Sequence, residues 1–303
     1  MTQASEKQTP QGVPYSTVPH FVSNVGHTIF CKYWDTKFKE DSRKPRALLF
    51  IAHGLNEHCL WYDILAEPLA DKDVLTFSHD SYGHGQSEGT RVDLEDWSIY
   101  IKDIFQHCDE MKEKYPDIPL FLLGHSLGGA MAITATLERP DYFRGMILIA
   151  PSVVPHPDNV TPFKVFLAKI LARWTPQLQL GKLPHDNMCR NKDVVEKYNA
   201  DPLVWQGGMK ARFGVSALKG LKAIEANLHA VTTPFLVLHG TGDRITDHKG
   251  SEMLHEKAQS TDKTIKLYDG YYHQLHYEPD DDGAEVRQDI FDWILARIDA
   301  PSG

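Results

Sequence analysis

Cysteine is scarce: four in 303 residues, Cys31, Cys59, Cys108 and Cys189, none at C-x-x-C spacing from another. That excludes a disulfide-stapled secreted scaffold and a cysteine-ligated zinc site, and the thiols read as reduced groups of a cytosolic, cytoplasmic protein. Long apolar runs are missing too. No stretch reaches the ~18 residues that a membrane span needs, and the polar Met1–Gln11 lacks the apolar centre of a signal peptide. Membrane association is therefore expected to be peripheral at most. There is no basic surplus either: 32 Lys and Arg stand against 41 Asp and Glu, a formal charge of −9. Phosphate binding needs clustered cations, so a broad nucleic-acid footprint is excluded. No repeat, low-complexity run or metal-ligand constellation is visible, and Asp280–Asp282 reads as a solvated turn.

What is present is an ordinary globular composition, 42% hydrophobic and 24% charged. Short apolar runs alternate with helical patterns, as parallel strands joined by crossover helices require. Ala47–Ala52, Val74–Ser78, Leu120–Leu123, Met146–Ile149, Phe235–Leu238 and Ile265–Tyr268 are the candidate buried strands. His20–Val22 and Thr28–Tyr33 flank Gly26 as an opening hairpin. Trp97, Ile101, Ile104, Phe105, Cys108 and Met111 recur at helical spacing, with Lys102, Asp103, Glu110 and Lys112 on other faces. The rhythm breaks after Pro151 and resumes near Pro234. The expected organisation is an α/β core, a mostly parallel sheet flanked by helices, from 1–151 and 232–303, with a helical cap insertion at 152–231.

Gly124-His125-Ser126-Leu127-Gly128 has the G-x-S-x-G pattern of a nucleophile elbow, preceded by an apolar strand and followed by a helix-forming run from Gly129 to Ala135. This strand, elbow and helix order is that of the α/β-hydrolase fold. A serine hydroxyl is a poor nucleophile at neutral pH, so it needs a base and a third group that fixes the base's tautomer. His273 and Asp243 each follow a predicted strand, in the loops Gly270-Tyr271-Tyr272-His273 and Gly240-Thr241-Gly242-Asp243. Asp247 and Asp269 compete for the acid's role, and His276 lies close to His273. Asp243 is favoured because the small residues before it allow a tight turn off the strand. The oxyanion of acyl transfer needs two backbone N–H donors. Leu127, after the nucleophile, and Leu55, in His53-Gly54-Leu55-Asn56, are the candidates.

With His53-Gly54-Leu55-Asn56-Glu57-His58, the run Ser78–Gly89 (Ser-His-Asp-Ser-Tyr-Gly-His-Gly-Gln-Ser-Glu-Gly), Gly124–Gly129 and Tyr198-Asn199-Ala200-Asp201-Pro202-Leu203, the chain resembles the monoacylglycerol lipases over nearly its whole length. The resemblance implies hydrolysis of a monoacylglycerol to a fatty acid and glycerol without a cofactor. It maps Ser126, Asp243 and His273 onto the family triad and the N–H groups of Leu55 and Leu127 onto its oxyanion hole. It also implies that Glu57, Trp61, Tyr198 and His276 lie in the substrate-binding site. Two positions depart from the family: Asn56 stands where Gly is usual and Trp61 where Arg is usual. Trp205, Arg212 and Thr246 occupy positions of regulatory cysteines in mammalian relatives, so that thiol sensitivity is not expected.

An ester of glycerol needs a polar subsite joined to an apolar tunnel. Thr161–Thr175 suits the tunnel's mouth. Phe163, Phe166, Leu167, Ile170, Leu171 and Trp174 share one helical face, with Lys164, Lys169 and Arg173 outside it. Such a helix either lies on a bilayer or packs on its own domain. A lysophospholipase or general carboxylesterase with the same triad is the main alternative, since specificity does not follow from fold. His58 and Asp63 match the H-x4-D spacing of some acyltransferases, in what reads as a helix start. A non-catalytic binding protein of this fold would be expected to lack a triad member. Epoxide hydrolases and dehalogenases need a carboxylate at the position of Ser126.

Overall fold

The structure, a computed structural model, describes residues 6–40, 43–154 and 162–299, with the backbone alone at 162–167. The strands in chain order are β1 (His20–Val22), β2 (Thr28–Trp34), β3 (Ala47–Ala52), β4 (Val74–His79), β5 (Leu120–His125), β6 (Gly145–Ile149), β7 (Gln179–Leu180), β8 (Met209–Lys210), β9 (Phe235–Gly240) and β10 (Lys263–Tyr268). The helices are α1 (Thr36–Glu40), α2 (Asp63–Ala70), α3 (Ser98–Lys114), α4 (Leu127–Glu138), α5 (Pro162–Trp174), α6 (Lys192–Ala200), α7 (Ala211–Asn227), α8 (His248–Lys257) and α9 (Asp280–Ile298). Eight strands form one sheet in the order β1-β2-β4-β3-β5-β6-β9-β10, and β7 and β8 form a separate pair. Only the β1–β2 and β2–β4 pairings of the large sheet are antiparallel.

Side-chain alternation along each strand divides the core into two layers. Leu48, Phe50, Leu122 and Leu148 pack with α3, α4 and α7, whereas Leu49, Ile51, Leu123 and Ile149 pack with α2 and α9. Both faces are covered, which is why β3, β5 and β6 are buried at every position and apolar except for His125 at the end of β5. The edge strand β10 is the exception. It was expected to be buried, but only Tyr268 is, and Leu267 is 38% exposed, because a sheet edge has a neighbour on one side only.

Two other expectations change. Asp103 falls on the buried part of α3, not on an outer face, and is 2% exposed. Asp280–Asp282 opens α9 instead of a turn, where three carboxylates meet the positive end of the helix dipole. Between β6 and β9 no described residue joins the large sheet. The segment holds α5, α6, the β7–β8 pair and α7. Phe213, Ala217 and Ile224 of α7 belong to the main core, where Gly220 lets the helix approach Trp97 closely.

The parallel strands all end at one edge of the sheet. There the register sets Ala52 beside Gly124, His125 beside Ile149, and Gly240 beside Tyr268. The loops that leave this edge carry Leu55, Ser126, Asp243 and His273.

Candidate active site

Ser126 is the single residue between β5 and α4, at φ 54° and ψ −117°. A non-glycine residue there carries strain on the order of 1–3 kcal/mol, so its surroundings must hold it. Its N–H donates to the Ile149 carbonyl at 3.0 Å, and its carbonyl accepts from Ser152 N at 2.9 Å. The flanking glycines let the turn close: a Cβ on Gly128 would lie 2.0 Å from the Ala52 carbonyl oxygen, and one on Gly124 2.3 Å from that of Gly128. The side chain therefore stands at the N-terminus of α4, with the residue 7% exposed.

His273 Nδ1 donates to Asp243 Oδ2 at 2.7 Å, and both side chains are almost fully buried. Asp243 Oδ1 accepts from the N–H groups of Ile245 (2.7 Å) and Thr246 (3.1 Å), and Oδ2 accepts from Thr246 Oγ1 (2.8 Å). Burial works to raise the carboxyl's pKa, but the opposing charge of His273 and hydrogen bonds from His239 and His273 hold it far below the ordinary range. For His273 burial dominates, and its pKa is lowered despite Asp243. The competing acids are used elsewhere: Asp247 caps α8 through Lys249 N, and Asp269 accepts from Thr241 Oγ1 at 3.0 Å. Ser126 and His273 form no hydrogen bond with each other. The residue preceding the serine bridges their neighbourhoods, the His125 ring lying 4.9 Å from that of His273.

The loop after β3 is braced by Glu57. Its Oε1 accepts from Gly54 N (2.6 Å), from His125 Nδ1 (3.0 Å) and from the Tyr62 hydroxyl, and its Oε2 accepts from Gln274 (3.3 Å). The side chain is 2% exposed. Burial alone would raise its pKa, but the charge and hydrogen bond of His125 and the hydrogen bond of Tyr62 keep it below the usual range. Among the described residues neither the Leu55 nor the Leu127 N–H donates to a protein acceptor, while the Gly54 N–H between β3 and Leu55 is fixed. Asn56 stands at φ 70°. That explains the first departure: glycine is the default there, and asparagine is among the side chains that tolerate it best. Its carbonyl accepts from Trp205 N at 2.9 Å.

Trp61 packs between Tyr198 and Tyr277, at ring-centroid distances of 5.4 and 5.5 Å, and its indole N–H donates to Asp201 Oδ2. His276 stacks on Tyr62, 5.3 Å from His125. Tyr198 Oη, His276 Nδ1, His125 Nε2 and Asn56 Oδ1 are buried and lack a hydrogen-bond partner among the described residues. Burial, with Glu57 and Asp201 nearby, pushes the Tyr198 hydroxyl well above its ordinary pKa, and burial with His125 takes His276 well below. The H-x4-D spacing has a structural explanation in Asp63, which opens α2 and accepts from Trp34 Nε1 at 2.7 Å.

Sequence reasoning missed His125, His239, Asp201 and Gln274. His125 carried a signal in its place inside the elbow motif and Asp201 in its place inside the Tyr198–Leu203 run, whereas His239 and Gln274 carried none. Among the described residues no group of three His, Cys, Asp or Glu is placed to hold a metal, and no helix is long and apolar enough to cross a membrane.

A mostly parallel sheet with helices on both faces and a serine on a strand-to-helix elbow defines an α/β-hydrolase. Residues 43–280 match the family described as serine aminopeptidase, S33. Monoglyceride lipase of Mus musculus is 43% identical over 98% of this chain and 96% of its own length, and that of Homo sapiens is 43% identical over 97% and 96%. The crystal structure of Paleococcus ferrophilus monoacylglycerol lipase matches with a TM-score of 0.76 at 30% identity, covering 89% of this chain and 99% of that one. The chain belongs to the serine aminopeptidase S33 family and, at this identity, to the monoglyceride lipases.

Proposed function

We propose that the chain hydrolyses monoacylglycerols to a fatty acid and glycerol through an acyl-enzyme on Ser126, with no cofactor. The observation that carries the reading is the strained backbone of Ser126, held at the edge of the sheet from which the two loops bearing the hydrogen-bonded Asp243 and His273 also leave. Substrate binding brings Ser126 into contact with His273, since such bonds commonly tighten only in the complex. His273 takes the hydroxyl proton through Nε2 as Oγ attacks the ester carbon. Asp243 keeps the proton of Nδ1 in place and stabilises the imidazolium. The N–H groups of Leu55 and Leu127 receive the oxyanion. Collapse breaks the ester bond, and glycerol leaves with the proton from His273. Water then repeats the sequence on the acyl-serine and releases the fatty acid.

The unpartnered hydroxyl of Tyr198 and Nδ1 of His276 support a polar subsite for the glycerol hydroxyls. Glu57 contributes by bracing this wall, and Trp61 by its apolar face. The segment 152–231 is read as the cap, its α7 seated on the core. Its lipid-facing entrance is assigned to α5, where Ile170 (40%) and Trp174 (76%) are exposed beside Lys169 and Arg173, with Leu178 (45%) just beyond. Phe163, Phe166 and Leu167 of the expected apolar face lie outside the described side chains.

The test is hydrolysis of matched monoacyl, diacyl, triacyl and lysophospholipid substrates by wild type and Ser126→Ala, with fluorophosphonate labelling of both. Monoacylglycerol preference with loss of labelling in the variant is expected. A higher kcat/KM for lysophospholipids would establish the alternative activity, and full hydrolysis by the variant would overturn the nucleophile.

A further inference from the structure

Asp243 is approached by a second imidazole. His239, inside β9 and fully buried, places Nε2 3.3 Å from Asp243 Oδ2, the oxygen that already accepts from His273, and Nδ1 2.7 Å from Ser251 Oγ on α8. An ionised carboxylate only accepts, so an attractive contact requires a proton on Nε2. Nδ1 then accepts, and the Ser251 hydroxyl donates to it. With that tautomer the chain of donors runs from Ser251 through His239 toward Asp243, and Thr246 Oγ1, also 3.3 Å from Nε2, shares the same proton. With Thr246 Oγ1 at 2.8 Å, Oδ2 faces three donors, more than its two lone pairs accommodate with good geometry.

We propose that His239 is a positioning residue of the reaction: it shares Oδ2 of Asp243 with His273, so that it both fixes the carboxylate's orientation and limits how strongly that oxygen holds the His273 imidazolium. The inference rests on the proposed roles of Asp243 and His273. Near His239 the polar and titratable groups are Ser251 and, with its ring 6.4 Å away, His248 of α8, Asp243 and Thr246 of the loop after β9, and His273 of the loop after β10; Ala150, just past β6, contributes a backbone carbonyl to Thr246. Removing a donor from Oδ2 leaves more negative charge for His273, which keeps its proton to higher pH. His239 touches no substrate in this reading, so its loss acts on kcat and on the acid limb of the pH profile and leaves KM nearly constant.

The experiment compares pH profiles of kcat/KM and kcat, on a soluble short-chain ester, for wild type, His239→Leu, His239→Gln, Ser251→Ala and Asp243→Asn. His239→Leu should move the acid limb up by about half a pH unit, a loss of kcat/KM that approaches about threefold at pH values well below the midpoint of the limb. His239→Gln, which keeps an N–H for Asp243, should retain the wild-type limb. Ser251→Ala leaves the helix and the imidazole intact, guards against a misfolded leucine variant, and should shift the limb in the same direction by less. An unmoved limb in folded His239→Leu and in Ser251→Ala, with Asp243→Asn inactive, overturns the role of His239 alone. Full activity in Asp243→Asn overturns the reading beneath it.

Discussion

His58 and Trp61 donate to one and the same oxygen, Oδ2 of Asp201, at 2.8 and 3.1 Å. The Trp61 N–H is thus committed to the protein, and what Trp61 offers a substrate is ring surface. An arginine at this position would meet Asp201 as an ion-pair partner before it met an alcohol. Trp61→Arg should therefore change the kcat/KM ratio of a monoacylglycerol over the ethyl ester of the same acid by less than about threefold, equivalent to under one hydrogen bond. A larger gain in the ratio would show that the position reads the head group. Trp61→Phe keeps a ring beside Tyr198 but removes the donor, and calorimetry should show a destabilisation of ~0.5–1.5 kcal/mol.

For the proposed triad, Ser126→Ala should lower kcat by at least ~10³-fold with circular dichroism unchanged. Asp243→Asn should be nearly as damaging, because His273 then adopts the wrong tautomer. Asp269→Asn and Asp247→Asn should stay within a few-fold of wild type. An inactive Asp269→Asn beside an active Asp243→Asn would reassign the acid.

The pH dependence has two parts, one in activity and one in stability, and both rise with pH. His273 must be neutral to accept a proton, and burial lowers its pKa against the pull of Asp243. Its kcat/KM should rise with pH and already exceed half of the plateau at the ordinary histidine value of ~6.5; a smaller fraction would contradict the direction. Stability depends on other groups. Burial takes His107 down to about 3, and His79, with Nδ1 3.2 Å from that of His107, is held well below its ordinary value by burial and by His107. Groups with depressed folded-state pKa values bind fewer protons than the unfolded chain, so their stabilisation is complete above ~6.5 and declines as pH falls toward 3. The melting temperature should drop steadily from pH 6.5 to 4, and by less in a His79→Gln, His107→Gln double variant.

Glu57 separates head-group binding from loop bracing. Its Oε1 already receives three donors, including the N–H next to the proposed oxyanion donor Leu55. Glu57→Gln should therefore lower kcat by ~10-fold or more while KM changes little, as expected for weakened transition-state stabilisation. A rise in KM at constant kcat would mean direct contact with glycerol.

The exposed residues of α5 give a membrane test free of core damage. Ile170→Ser with Trp174→Ser should weaken binding to phospholipid vesicles and raise KM for long-chain esters, with short soluble esters cleaved as before. Equal loss on both substrates, with a lower melting temperature, would place these side chains in packing instead.

The sheet was readable because its central strands are covered on both faces, so Ala47–Ala52 and Leu120–Leu123 stand out as unbroken apolar runs. β10 misled because Ile265 and Leu267 look like core residues, and nothing local reveals that a strand is last in line. The elbow was legible in Gly124 and Gly128, whose missing side chains are a direct steric need. The bracing of Asp243 was not. His239 reads as a polar interruption of a strand, and its partners, four and twelve residues later, meet it only once the loop after β9 and α8 are in place. Asp103 shows the same limit: periodicity separates it from Ile101 and Ile104, but the buried arc of α3 is wider than the apolar stripe.

The small β7–β8 pair has a consequence for engineering. It ties Gln179 to Lys210 and Leu180 to Met209, so the chain between them leaves and returns at one clasp. That excursion carries Tyr198 and Asp201, and it meets the rest of the molecule through a defined set of contacts: Trp205 N on Asn56 O, Met188 O on Gln274 N, His58 and Trp61 on Asp201, Cys189 on the Tyr277 carbonyl, and Arg190 on Glu278 and Asp282. Grafting a relative's excursion onto this clasp, with Asn56, His58, Trp61, Gln274, Tyr277, Glu278 and Asp282 kept, would exchange the proposed alcohol-facing wall as one cassette while the strand ends carrying Ser126, Asp243 and His273 keep their register.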